Sequence, residues 1–208
     1  MSSFRCFLWL LFAILNVAVL PFVGANLAEI NIAIVTPRQS KANGETLLYG
    51  NQGLVSALLA IETINNKSDG YFDNVLPNTT LKFEFYDSLE DVQTVADLAT
   101  TVRKHAFDGS GADFVLGAGT SACTMALHSI LKHFEILQVS PASTSGFLSV
   151  SSDYPYFSRP IPSSEMLSDA IIKYAKYKIG WDRGVIVSSS DPNSLFAANS
   201  INAAAAQN

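Results

Sequence analysis

Two short runs of hydroxyl residues carry chemistry suited to holding a small polar molecule. Thr120-Ser121 stands directly behind Gly117-Ala118-Gly119, and Ser143-Thr144-Ser145 stands behind Pro141-Ala142. Each run follows an apolar, β-rich stretch, Phe114-Val115-Leu116 in one case and Ile136-Leu137-Gln138-Val139 in the other, and the first also opens a helix. Free backbone N–H groups and the positive end of the dipole at a helix start favour an anion, and adjacent hydroxyls add donors for a carboxylate. Serine and threonine also serve as plain helix caps and turn formers. Thr120, Ser121, Ser143, Thr144 and Ser145 are therefore the expected ligand contacts, with capping and turn formation as the alternative reading.

Other chemistry is poorly supplied. Gly117 to Ala122 has the G-x-G-x-x-A form of a dinucleotide fingerprint, but it follows the third strand instead of the first and no acidic residue ends the next strand. No G-x-S-x-G occurs, and neither paired carboxylates nor a Ser-His-Asp set stands at a usable spacing. The chain reads as a non-enzyme with no cofactor. His105, His128 and His133 lack metal-like companions, and His128 and His133, five apart on a helix, point in different directions. Cys123 reads as a small core residue or as a thiol activated by a helix start. Tyr49 reads as packing or as a pocket border, and Arg159 as a partner for backbone carbonyls or a carboxylate.

The elements that must position these groups alternate regularly. Ile30 to Val35 is a strand closed by Pro37, and a helix follows from about Tyr49 to Asn65, with Leu54, Leu58, Ile61 and Ile64 spaced by three or four. Leu81 to Tyr86 alternates as a second strand, with Asp87-Ser88 where the next helix needs its first turn and Val92, Val95, Leu98 and Val102 along it. A third strand and a helix to about Phe134, with Met125, Ile130 and Leu131 facing inward, lead to the fourth strand. Such βα units imply a mainly parallel sheet covered by helices on both faces. Ligands in such lobes bind outside the C-terminal strand ends, here the loops 37–46, 87–91, 117–121 and 140–149. After Ser149 a proline-bearing stretch, 151–163, reads as a crossover to a second lobe, followed by a helix from about Ser163, a strand Gly184 to Ser188 and a last helix from about Asn193.

Residues 6 to 20 are apolar except for Asn16, preceded by Arg5 and followed by Pro21 and small residues. Together they read as a secretory signal peptide, with an uncleaved anchor as the alternative. The chain has 13 basic and 18 acidic residues, and loss of Arg5 with the leader leaves 12 against 18, a net charge of −6. Without a basic cluster, nucleic acid is excluded as a partner. Cys6 leaves with the leader, so Cys123 has no intrachain partner. Asn66-Lys67-Ser68 and Asn78-Thr79-Thr80 are glycosylation sequons, at Asn66 and Asn78.

In order and spacing the chain resembles the receptor-family ligand-binding region, the type I periplasmic-binding-protein or Venus-flytrap module of class C receptors such as metabotropic glutamate and GABA-B receptors. The resemblance is carried by Tyr49-Gly50-Asn51-Gln52, Ile64-Asn65, Tyr86-Asp87-Ser88, Leu116 to Ser121, Leu137 to Ser145, Leu148-Ser149, Tyr154 to Ser163 and Gly180-Trp181. It implies an α/β fold of periplasmic-binding-protein-like type I: a signal peptide over 1–25, a first ligand-binding lobe over 26–150, and a crossover with a partial second lobe over 151–208. It also implies an extracellular receptor domain that closes on an amino-acid-like ligand, with Ser121, Ser143 and Thr144 gripping its amino and carboxyl groups. A soluble secreted binding or transport protein of the same fold is the alternative. The partners implied are that small molecule, a homo- or heterodimer through the first lobe, and a membrane only through the N-terminal segment or a missing downstream region. Two features depart from the glutamate receptors: Thr46 and Leu47 stand where those receptors have an arginine for the ligand's side-chain carboxylate, and their first-lobe disulfide cysteines are missing. Glutamate is therefore not the favoured ligand.

Overall fold

The computed structural model describes residues 28–107, 111–190 and 192–207, so the expected signal segment and the side chain of His105 lie outside the described residues. Five strands form one parallel sheet in the order β2-β1-β3-β4-β5: β1 (Glu29–Thr36), β2 (Thr80–Asp87), β3 (Phe114–Gly117), β4 (Leu137–Val139) and β5 (Phe157–Ser158). β1 pairs with β2 along its whole length, Glu29 to Thr80 through Thr36 to Asp87, and with β3 from Ile32 opposite Phe114 to Val35 opposite Gly117.

Alternation along β1 sends its side chains to opposite faces, and each face is covered by its own helices. Ile32 and Ile34, with Leu81 and Leu116, pack under α1 (Leu48–Asn65) through Ala57, Ala60, Ile61 and Ile64. Ala33 and Val35, with Val115, pack under α2 (Val92–Phe107) through Val95, Ala99 and Val102, and under α3 (Ser121–Leu131) through Cys123, Leu127 and Leu131. Asn65 fastens the end of α1 to the start of β2, donating to the Leu81 carbonyl and accepting from its N–H, both at 2.8 Å.

Each strand-to-helix junction has its own local cause. Asp91 caps α2, accepting from Thr94 N and Thr94 Oγ1 at 2.7 Å, while Lys41 Nζ sits 2.7 Å from the same carboxylate oxygen. The Lys41 hydrogen bond, followed by those from Thr94, pulls the Asp91 carboxyl down to about 2. The cap therefore lies beyond the expected Asp87-Ser88: Asp87 Oδ1 instead accepts from the backbone N–H of Arg38 and of Leu89. Along α3 the inward stripe is Cys123, Thr124, Leu127, His128 and Leu131, with Met125 off it, because a buried helix stripe repeats at three and four residues.

Past β4 two expectations change. β5 arises inside the proline-bearing stretch expected as a crossover and extends the sheet through Gln138 opposite Phe157 and Val139 opposite Ser158. The expected strand Gly184 to Ser188 does not form: the run is irregular, with Val185 91% and Val187 92% exposed. A strand is defined by its neighbour's hydrogen bonds, and no strand among the described residues pairs with this run. α4 (Ser164–Lys173), capped by Ser163 Oγ, ends in a π-type turn over Tyr174–Ile179 that closes at Gly180, whose φ of +82° is left-handed. α5 (Pro192–Gln207) packs on α4.

Candidate functional site at the C-terminal strand ends

The strand order reverses between β1 and β3, since β2 lies on one side of β1 and the chain then proceeds outward on the other. The crevice beyond the strand ends at such a reversal is where open α/β sheets bind ligands. Backbone segments approach closely there. A Cβ on Gly117 (φ +139°) would lie 2.0 Å from the Val35 carbonyl oxygen, and one on Gly50 would lie 1.7 Å from that of Pro37. A cleft of about 30 Å³ opens between Val35, Thr36, Gly117, Gly119 and Pro141. A larger recess, about 150 Å³, lies beside Asn31, Lys82 and Glu84 on β1 and β2, away from the hydroxyl residues.

The α3 N-terminus and the loop after β4 meet beside these strand ends, although none of Thr120, Ser121, Ser143, Thr144 and Ser145 lines the small cleft itself. Thr120 caps α3, its Oγ1 accepting from Cys123 N at 3.4 Å. Ser121 Oγ accepts from Ser145 N at 3.2 Å and so joins the two hydroxyl runs. In both contacts the side-chain oxygen is the acceptor, so these two bonds do not use either hydroxyl proton. The hydroxyls of Thr144 and Ser145 make no hydrogen bond among the described residues; only their backbones are engaged. Ser143 differs. It is fully enclosed, its Oγ 2.8 Å from both Thr124 Oγ1 and Ser140 Oγ; Ser121 and Ser145 are also buried, at 6% and 5% exposure, so of the five expected contacts Thr120 and Thr144 are the two partly exposed ones.

Beneath the crevice lies a bonded polar floor. Thr124 Oγ1 lies 3.2 Å from both Ala118 N and Ala118 O, and Ser140 Oγ donates to Ala118 O at 2.7 Å. Gln138 Nε2 donates to Gly117 O at 2.9 Å, and Gln138 Oε1 is 3.1 Å from His128 Nδ1. His128 is fully buried, with Nε2 unpartnered and the Tyr154 ring 5.3 Å away, and burial pushes its pKa below the usual histidine value. Spacing alone does not single out Gln138, Thr124 or Ser140, because their contacts with Gly117, Ser143 and Ala118 respectively span 21, 19 and 22 residues.

Tyr49 borders the crevice. Its Cε2 would be 3.3 Å from a Cβ on Gly119, and its hydroxyl donates to Glu90 Oε1 at 2.7 Å; burial, then that bond, raises its pKa. Glu90 and Leu89 both hold left-handed backbone, φ +55° and +49°. Cys123 is a core residue: burial pushes its thiol up, which opposes reactivity. Among the described residues no group of three or more His, Cys, Asp or Glu side chains could hold a metal ion, and no helix is long and apolar enough to cross a membrane. Asn66 and Asn78 are both exposed.

Residues 52–208 match the family described as receptor family ligand binding region. The chain is similar to a probable metabotropic glutamate receptor, mgl-1, of Caenorhabditis elegans, 36% identical over 77 residues, covering 37% of this chain and 8% of that receptor. It is also similar to metabotropic glutamate receptor 4 of Rattus norvegicus (28% identical, 64% of this chain, 16% of the receptor) and to G-protein coupled receptor family C group 6 member A of Carassius auratus (28%, 69% and 17%). It thus spans less than a fifth of the length of these relatives. Among solved structures, an ABC transporter substrate-binding protein from Desulfitobacterium hafniense superposes with a TM-score of 0.67 at 24% identity, over 86% of this chain and 47% of that one, a likeness of fold.

Proposed function

From the premise that this chain belongs to the receptor family ligand-binding region, a binding module and not an enzyme family, we propose that it holds an amino-acid-like ligand in the crevice between β1, β3 and β4. The ligand's carboxylate lies at the α3 N-terminus, where the helix dipole and the hydroxyls of Thr120 and Ser121 favour an anion. Thr144 and Ser145 add hydroxyls from the facing loop, and Ser143 supports them from below. Tyr49 and Glu90 face the ligand's far end, where a carboxylate disfavours an acidic side chain.

In this reading the chain is an extracellular part of a cell-surface receptor, reached through the secretory pathway, glycosylated at Asn66 and Asn78, and dimeric through its first lobe. Its domains are a leader over 1–25, a first lobe over 26–150 and second-lobe residues over 151–208, with lobe closure on the ligand shifting a conformational equilibrium. The fold likeness to a substrate-binding protein supports a second reading, a soluble secreted carrier with the same crevice.

The observation that carries the proposal is the 3.2 Å bond from Ser145 N to Ser121 Oγ, which joins two hydroxyl runs 24 residues apart at the start of one helix. Calorimetric titration with L-serine, L-lysine and L-glutamate tests it. Ser121→Ala and Thr144→Ala should each weaken binding of the preferred amino acid by about 1–3 kcal/mol, as loss of a hydrogen bond to a charged group does. Unchanged affinity in both variants removes the site.

A further inference from the structure

The loop that presents Thr144 and Ser145 is gripped from the segment after β5. Arg159 Nη1 donates to the Ser143 carbonyl at 3.0 Å and to the Ser145 carbonyl at 2.7 Å, while Nη2 donates to Ser149 Oγ at 2.5 Å. The carbonyl between them, that of Thr144, accepts from Ser164 N at 2.8 Å and from Ser164 Oγ at 3.1 Å, at the first residue of α4. Three consecutive carbonyls of the hydroxyl loop are thus all held by residues 159–164. On its other side the loop touches α3 through the Ser145 N to Ser121 Oγ bond.

Arg159 makes no ion pair among the described residues. Burial lowers its pKa and Glu165 is the carboxylate that opposes this. A half-buried guanidinium whose bonds all go to carbonyl and hydroxyl oxygens of one loop holds shape by its planar array of donors, which an ammonium on a flexible stem does not reproduce. Glu165 and Phe196, from α4 and α5, close over the same loop at Gly146, where a Cβ would lie 2.6 Å from Glu165 Oε1 and 2.5 Å from Phe196 Cζ. At Gly146 the loop is thus in close contact with side chains of both helices.

We propose that Arg159 is the positioning residue of the crevice: with Ser164 it fixes the Ser143–Ser149 loop against the α3 N-terminus and ties ligand capture there to the position of the segment from β5 to α4. This rests on the proposed function and adds a coupling, since a ligand that tightens the loop must also restrain the segment that grips it. Arg159→Lys in the full chain keeps the charge and removes the planar array.

Without ligand, Arg159→Lys should speed amide exchange at Ser145 and Leu148 by about tenfold or more, while the β1 amides keep their rates, as expected for a local opening. Whichever of L-serine, L-lysine and L-glutamate binds the unaltered chain should bind Arg159→Lys about tenfold more weakly, the scale of one hydrogen bond to a charged group. That ligand should also slow exchange at Phe157, Ser158 and Met166 in the unaltered chain and fail to do so in Arg159→Lys, a change that loss of stability alone does not produce. Ser164→Ala, which retains its backbone N–H bond, should show the same effects at smaller size. Unchanged exchange at Ser145 and Leu148, or unchanged affinity, in Arg159→Lys overturns this assignment and leaves the proposed function standing. Failure of all three amino acids to bind the unaltered chain overturns both.

Discussion

Phe114-Val115-Leu116-Gly117 and Gly184-Val185-Ile186-Val187 are two apolar, β-rich runs with different fates. The first is β3, paired on both sides, with Val115 fully buried and its end held by Gln138. The second is irregular and nearly all exposed. Strand propensity reflects how well a residue fits a pleated, half-buried surface, so without a neighbouring strand it organises nothing. The same contrast extends to the helices. α3 buries a continuous stripe, whereas Met166, Ile171, Tyr174 and Tyr177, from α4 onward, are more than half exposed.

The sharpest way to break this contrast is at the crowded strand end. Gly117→Val should cost about 3 kcal/mol or more in urea unfolding, because its Cβ would meet the Val35 carbonyl at 2.0 Å and β-branched residues resist that backbone conformation. Leu127→Ala, a fully buried α3 position, should cost about 2–5 kcal/mol by the same measurement. A milder loss should come from acid. Folding keeps His128 neutral because burial lowers its pKa, so the unfolded chain takes up the proton first. Stability is full above the unfolded histidine pKa of about 6.5 and falls as the pH drops toward the lowered folded value. His128→Gln should flatten that fall in unfolding curves recorded between pH 7.5 and pH 5. Smallest of all, Val187→Thr should change the unfolding free energy by less than about 0.5 kcal/mol, since its side chain contacts mostly water. A large loss there would mean that the two runs are not as different as their exposures suggest.

These cases also show what local spacing could reveal. Ile61 and Ile64 on α1, the alternation of β1 and the small-residue turn at Gly117 are short-range patterns, and the first four strands and three helices stood where they pointed. The strand-end hydroxyls were likewise visible as Thr120-Ser121 and Ser143-Thr144-Ser145. Spacing did not show which of them are enclosed, because the fate of Ser143 depends on Thr124, 19 residues away and on another element. Arg159 was readable as a carbonyl partner, but not as the residue that grips this loop, since its two carbonyls lie 16 and 14 residues back along the chain. β5 leaves no local signal, because two residues carry no periodicity and the strand is defined by lying beside β4.

β2 sits at the outer margin of the sheet, paired among the described residues with β1 alone, with Lys82, Phe83 and Glu84 in contact with solvent and Lys82 Nζ 2.7 Å from Glu29 Oε2. An open margin of this kind invites other molecules to stack on it and seed fibres. Here an intruding β-segment would have to displace water from alternating opposite charges on either side of a single aromatic ring. That arrangement disfavours edge-to-edge association at a margin remote from the crevice at the C-terminal ends of the same strands.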